Sequence, residues 1–117
     1  MTDFGALDLA EPENTKLVTL ARGAMSRVRA DQGAALRDET GRTYASASVS
    51  LPSRSFTAVE LVVALAAGSG ARGIEAVVII GEKASEDDLV LVRDLGGFVA
   101  RVAQCDADGV PWPSPNP

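Results

Sequence analysis

The stretch from Phe56 to Ala67 constrains the fold most, because it has helical composition, is apolar on every face and carries a single charge, Glu60. A surface helix shows a polar side, so a helix without one is covered on both sides by a core or by a core and an interface. Thr57 stands three residues before Glu60. In that capping-box spacing the hydroxyl receives the amide of the acid, and the acid reaches back to the amide of the hydroxyl residue. The carboxylate also suits the positive end of the helix dipole. An acid at a helix start can equally sit at the mouth of a site and carry protons, and both readings of Glu60 stand at this point. Gly68, Ser69 and Gly70 then stop the helix.

After the helix comes a β-branched run, Val77, Val78, Ile79 and Ile80, within residues 75–81 and bounded by glycines. It reads as a strand buried on both faces. Strand, long helix and buried strand in succession predict a right-handed crossover with parallel pairing. Upstream, Leu17, Val18, Ala21, Ala24, Met25 and Val28 recur at helical spacing from Asn14, taken as N-cap, to Arg29. Residues 33–37 and 42–49 flank a turn at 38–41 and predict an antiparallel hairpin, rich in Ala and Gly and so suited to helices lying close on a sheet. Downstream, Ser85 precedes Asp88 by the same capping-box spacing and opens a short helix through Val90, Leu91, Val92 and Leu95, ended by Gly96 and Gly97. Residues 98–104 alternate and predict the last core strand.

These elements predict an α/β fold of three layers, α-β-α, around a mixed sheet of four to five strands. Residues 1–13 read as a flexible N-terminal arm whose Phe4 and Leu7 can dock on a neighbour, 14–105 as the domain, and 106–117 as a Pro-rich tail carrying Trp112.

Composition removes several functions. With 16 acidic against 11 basic residues and a net charge of −5, the chain lacks the cationic footprint of a nucleic-acid binder. It contains no histidine and one cysteine, Cys105, which excludes an internal disulfide, a Ser-His-Asp nucleophile and an imidazole or multi-thiolate metal site. Cys105 reads as a small core residue. The acids from Glu82 through Glu86, Asp87 and Asp88 read as a solvated helix start; as ligands, with Glu60, they would suit Mg²⁺ better than Zn²⁺. The glycines from Gly68 to Gly73 follow a helix and precede a strand, the reverse of the phosphate-loop order. No apolar run reaches the ~18 residues of a membrane span, and no membrane partner and a cytoplasmic location are expected.

Residues 17–25, then Gly33-Ala34-Ala35-Leu36, then Gly41-Arg42-Thr43-Tyr44, then Thr57-Ala58-Val59-Glu60 opening an Ala-rich helix resemble small zinc-dependent cytidine deaminases in order and spacing, over roughly residues 15 to 104. That family writes its first motif as C-A-E or H-A-E at the start of the central helix and its second as P-C-x-x-C at the start of the next. The resemblance implies three Cys or His ligands to zinc and a glutamate that shuttles protons to the base. Set on those motifs, the first ligand position here is Ala58 and the glutamate is Glu60, while Ser85 and Asp88 fall near the two cysteine positions. The family's sugar-binding Asn-x-Glu corresponds to Ser48-Val49-Ser50.

What the resemblance implies is therefore a degenerate member: Glu60 as a remaining catalytic glutamate without zinc ligands, no cofactor, and a metal-free binding or assembly module forming a homodimer or homotetramer. Two alternatives remain open, a nucleoside deaminase with relocated ligands and a sensor that binds a pyrimidine nucleoside without chemistry.

Overall fold

The computed structural model describes residues 4–112. Its eleven-residue central helix, α2 (Ala58–Gly68), lies on one face of a five-stranded sheet beside α3 (Glu86–Gly96), and α1 (Pro12–Val28) covers the other face. The strands are β1 (Gly5–Ala6), β2 (Gln32–Asp38), β3 (Thr43–Ala47), β6 (Ile74–Gly81) and β7 (Arg101–Cys105), in the order β1-β7-β6-β2-β3. Between β3 and α2 a small ribbon pairs β4 (Val49–Ser50) with β5 (Ser55–Phe56). This is the three-layer α-β-α arrangement expected from the sequence.

Period-two alternation divides the core. Ala34, Leu36, Val77 and Ile79 point toward α2 and α3. Ala35, Ala76, Val78 and Ile80 point toward Leu17 and Ala21 of α1. β2 and β6 are thus buried on both faces, as the β-branched run required. Each fully buried Val or Ile contributes about 1.5–3 kcal/mol. The small residues of β2 let α1 approach closely: a Cβ at Gly33 would collide with the backbone carbonyl of Ala21 and with the Met25 side chain.

Three sequence expectations are corrected. The strand–helix–strand unit does not pair in parallel across α2, because β2, the strand buried on both faces, lies between β3 and β6 and is antiparallel to each. Parallel pairing falls instead between β6 and β7, on either side of α3. The last strand starts at Arg101, since Gly97 takes φ +65° and turns Gly97–Val99 into a 3₁₀ segment that leaves Phe98 89% exposed. Helix α1 starts at Pro12 with Glu11 as cap. Pro12 presets the helical φ, and the Asn14 side chain instead donates to the Asp8 carbonyl and accepts from Arg37.

Part of the N-terminal arm is structured as well. Gly5 and Ala6 pair in parallel with Arg101 and Val102, and Phe4 packs on the core with the Arg93 guanidinium 4.6 Å from its ring centre. Residues 106–112 turn back on β7: Asp106 accepts the amides of Asp108 and Val110, and the Trp112 amide donates to the Gln104 carbonyl. Residues 1–3 and 113–117 lie outside the described residues. Among the described residues no helix is long and apolar enough to cross a membrane.

At the far end of β2, buried Asp38 accepts hydrogen bonds from the Thr40 amide and hydroxyl, the Arg42 amide and the Tyr44 hydroxyl. Burial pushes its carboxyl pKa up, and those four bonds together outweigh it and hold the pKa below the usual value.

Gly33→Ala lowers stability by about 1–3 kcal/mol in chemical denaturation because its methyl meets backbone. Gly23→Ala, with nothing within 4 Å of the added carbon, raises it by about 0.5–1 kcal/mol as a helix substitution. A depressed folded-state pKa stabilises above the unfolded carboxyl value and loses that contribution as pH falls through the folded value. The acid limb of the wild-type stability–pH curve is therefore steeper than that of Asp38→Asn, measured by melting temperature from neutral pH down to below pH ~3.

Candidate functional site

Helices α2 and α3 start at the same end of the sheet, and their first turns form one wall of an open cleft of about 770 Å³. Thr57, Ser85 and Asp88 line that wall, and Gln32 lines the floor. Arg29 and Asp31 come from the α1–β2 connection, Glu82 and Lys83 from the β6–α3 loop, and Ser48, Val49, Ser50, Ser55 and Phe56 from the β4–β5 ribbon. The cleft thus gathers both cap residues and the Ser48–Ser50 stretch, segments far apart in the chain.

Both capping boxes form. The Glu60 amide donates to Thr57 Oγ1 at 2.9 Å, and the Thr57 amide donates to Glu60 Oε1 at 2.7 Å. At α3 the Asp88 amide donates to Ser85 Oγ at 3.1 Å and the Ser85 amide to Asp88 Oδ2 at 3.4 Å. The two boxes are tied together, since the Thr57 hydroxyl donates to Asp88 Oδ1 at 2.9 Å. Asp88 is 3% exposed. Its carboxylate lies at two positive helix ends at once and accepts from each helix.

Two glutamine side chains tie the neighbouring loops and helix start to the sheet. Gln32 Oε1 accepts the Ala58 amide at 2.9 Å while its Nε2 donates to the Glu82 carbonyl at 3.0 Å. Gln104 Oε1 accepts the Ala84 amide at 2.8 Å. Sequence reading missed both glutamines because neither belongs to a local motif, and their partners lie 26, 50 and 20 positions away.

Of the residues singled out from sequence, Thr57, Ser85, Asp88, Glu82, Ser48 and Ser50 meet at the cleft. Ala58, next in sequence to Thr57, does not line it; its amide is bound to Gln32 and its methyl is buried. Glu60 does not line the cleft; its carboxylate is turned back on the start of its own helix. Glu86 and Asp87 are exposed on the first turn of α3. Cys105 is on the opposite face of the sheet, packed with α1, and burial, then the nearby charge of Asp106, pushes its thiol pKa up. Trp112 meets Lys83 at the rim, the ammonium 4.8 Å from the ring centre. Among the described residues no three His, Cys, Asp or Glu side chains come together as a metal-binding group.

Set against known proteins, residues 10–109 match the model of the family described as cytidine deaminase-like. The fold is similar to the crystal structure of cytidine deaminase from Mycobacterium leprae, with a TM-score of 0.66 at 16% identity, over 77% of this chain and 86% of that one. It is likewise similar to cytidine deaminase from Mycobacterium tuberculosis, with a TM-score of 0.67 at 18% identity, over 75% of this chain and 81% of that one. No curated protein matches the chain in sequence.

The capping geometry predicts that Glu60→Ala lowers stability by about 1 kcal/mol, through loss of the bond to the Thr57 amide and of charge at the helix end. Glu60→Gln keeps the acceptor and loses less than half of that, as read by urea denaturation of the two variants side by side.

Proposed function

The chain belongs to the cytidine deaminase-like family, and we propose that within it this protein is a non-catalytic, metal-free module that binds a small ligand or assembles with copies of itself. One observation carries the reading: the chain has no histidine and a single cysteine, Cys105, which packs with α1 on the opposite face of the sheet, while the residues that fall at or near the family's ligand positions are Ala58, Ser85 and Asp88. Zinc in a deaminase needs Cys, His or carboxylate ligands in number. This set offers one anionic group, already engaged by Thr57 Oγ1 and the Ser85 amide, and does not fit the metal.

The consequence for chemistry is direct. Water without a bound metal keeps a pKa of ~15.7 in place of ~7, a poor nucleophile at neutral pH. Glu60 could relay a proton only from a group at the cleft, and its carboxylate is held at the Thr57 amide. The site therefore retains a pocket shape and loses the reacting group.

Two features support binding and assembly. The cleft carries serine hydroxyls beside the Phe56 ring, a polar-and-aromatic lining compatible with a pyrimidine nucleoside. The outer side of α2 shows Leu61, Ala64, Leu65 and Ala67, with Leu65 50% exposed and no charge, which suits burial in a homodimer or homotetramer. A buried, unpaired thiol at Cys105 accords with a cytoplasmic setting.

Purified protein analysed for metal and assayed with cytidine is expected to hold less than a tenth of an equivalent of zinc, a level set by the missing donors, and to release no ammonia above the uncatalysed rate. Heat on titration with cytidine at millimolar concentration supports the ligand-binding form, and a size above the monomer in light scattering supports assembly. Stoichiometric zinc with deamination would establish the relocated-ligand enzyme instead.

A further inference from the structure

The starts of α2 and α3 pose an electrostatic problem that the chain solves internally. Each brings unsatisfied amides and a positive dipole end to the same corner. Like ends repel unless an anion or a set of acceptors lies between them. In a zinc deaminase the metal ligands stand at the starts of these two helices, so there the metal and its ligands span the corner. Here a direct side-chain bond between the two helix starts runs from Thr57 Oγ1 to Asp88 Oδ1, with both residues also fixed in their own capping boxes. Behind it Gln32 ties the end of β2 to the Ala58 amide and to the β6–α3 loop at Glu82.

We infer that the Thr57–Asp88 hydrogen bond, backed by the Gln32 amide, is a metal-independent fastener that holds α2 against α3 and sets the shape of the cleft. The inference rests on the metal-free reading of the site, and it can fail while that reading holds. It is geometrically economical: Thr57 Oγ1 accepts from its own helix and donates across, while Asp88 accepts from both helices with its two oxygens. Asp88 is buried, so the bridge is shielded from competing water. Removal of the hydroxyl leaves that carboxylate short of a donor.

Hydrogen exchange of the full chain tests this. Thr57→Val is expected to speed exchange of the Asp88 and Leu89 amides about tenfold or more, the scale of a bond to a charged group, although those amides lie on the other helix. Thr57→Ser restores wild-type protection there. Loss of a cap alone would loosen only α2. If Thr57→Val fails to fold, Asp88→Ala is read at the Glu60 and Leu61 amides of α2, where the same acceleration is expected. The wild-type melting temperature stays constant on adding a chelator or excess zinc. Unchanged exchange on the opposite helix in a metal-free protein overturns the fastener and leaves the proposed function intact. A chelator-sensitive melting temperature with bound zinc overturns both.

Discussion

Two helices that begin at one corner of a sheet must reconcile two positive ends and several amides without intrahelical partners, and the structure depends on how that is done. The Asp88 carboxylate and the Thr57 hydroxyl meet the demand with side chains already present as caps. Gln32 adds an acceptor from the sheet itself. Thr57, Asp88 and Gln32 each serve two elements, so the local rules of helix capping become tertiary constraints. The cleft in front is the space that remains once the corner is closed.

The sheet supplies the rigid backing. β2 and β6 are buried on both faces and pair antiparallel in the middle, and the Gly33 approach to α1 keeps the third layer tight. At the opposite end of β2, Asp38 organises its turn with four donors, and Arg37 links Glu75 to the Glu13 carbonyl and Asn14. The strand is thus tied to helices and loops at both of its ends. A pocket anchored this way can keep its shape without a metal, which is the physical content of the proposed non-catalytic role.

Much of the architecture was legible in local pattern. The helix with its single acid, the glycine-bounded β-branched strand and the two Ser/Thr-x-x-acid boxes are all where sequence put them, because capping and periodicity act over a few residues. The errors have a common cause in non-local competition. Phe98 and Val99 alternate like a strand, yet Gly97 adopts φ +65° and turns them outward. Asn14 is a good cap residue, yet Pro12 starts the helix and Arg37 claims the side chain. The order of β2 between β3 and β6 follows from which strand can be covered on both sides, a property of the assembled layers.

The sequence by itself determined the chemical inventory: no imidazole, one thiol, an acid-rich surface and a central helix that must be covered. It also determined that Glu60 could cap, since Thr57 lies at the required spacing. Only the tertiary structure decided that Glu60 stays out of the cleft lining, that Cys105 lies on the opposite face, that Gln32 meets the Ala58 amide and that Thr57 meets Asp88. Those contacts join residues separated by 26 and 31 positions. No local signal encodes such pairs, because chain folding, and not spacing along the sequence, brings their donors and acceptors within hydrogen-bond distance.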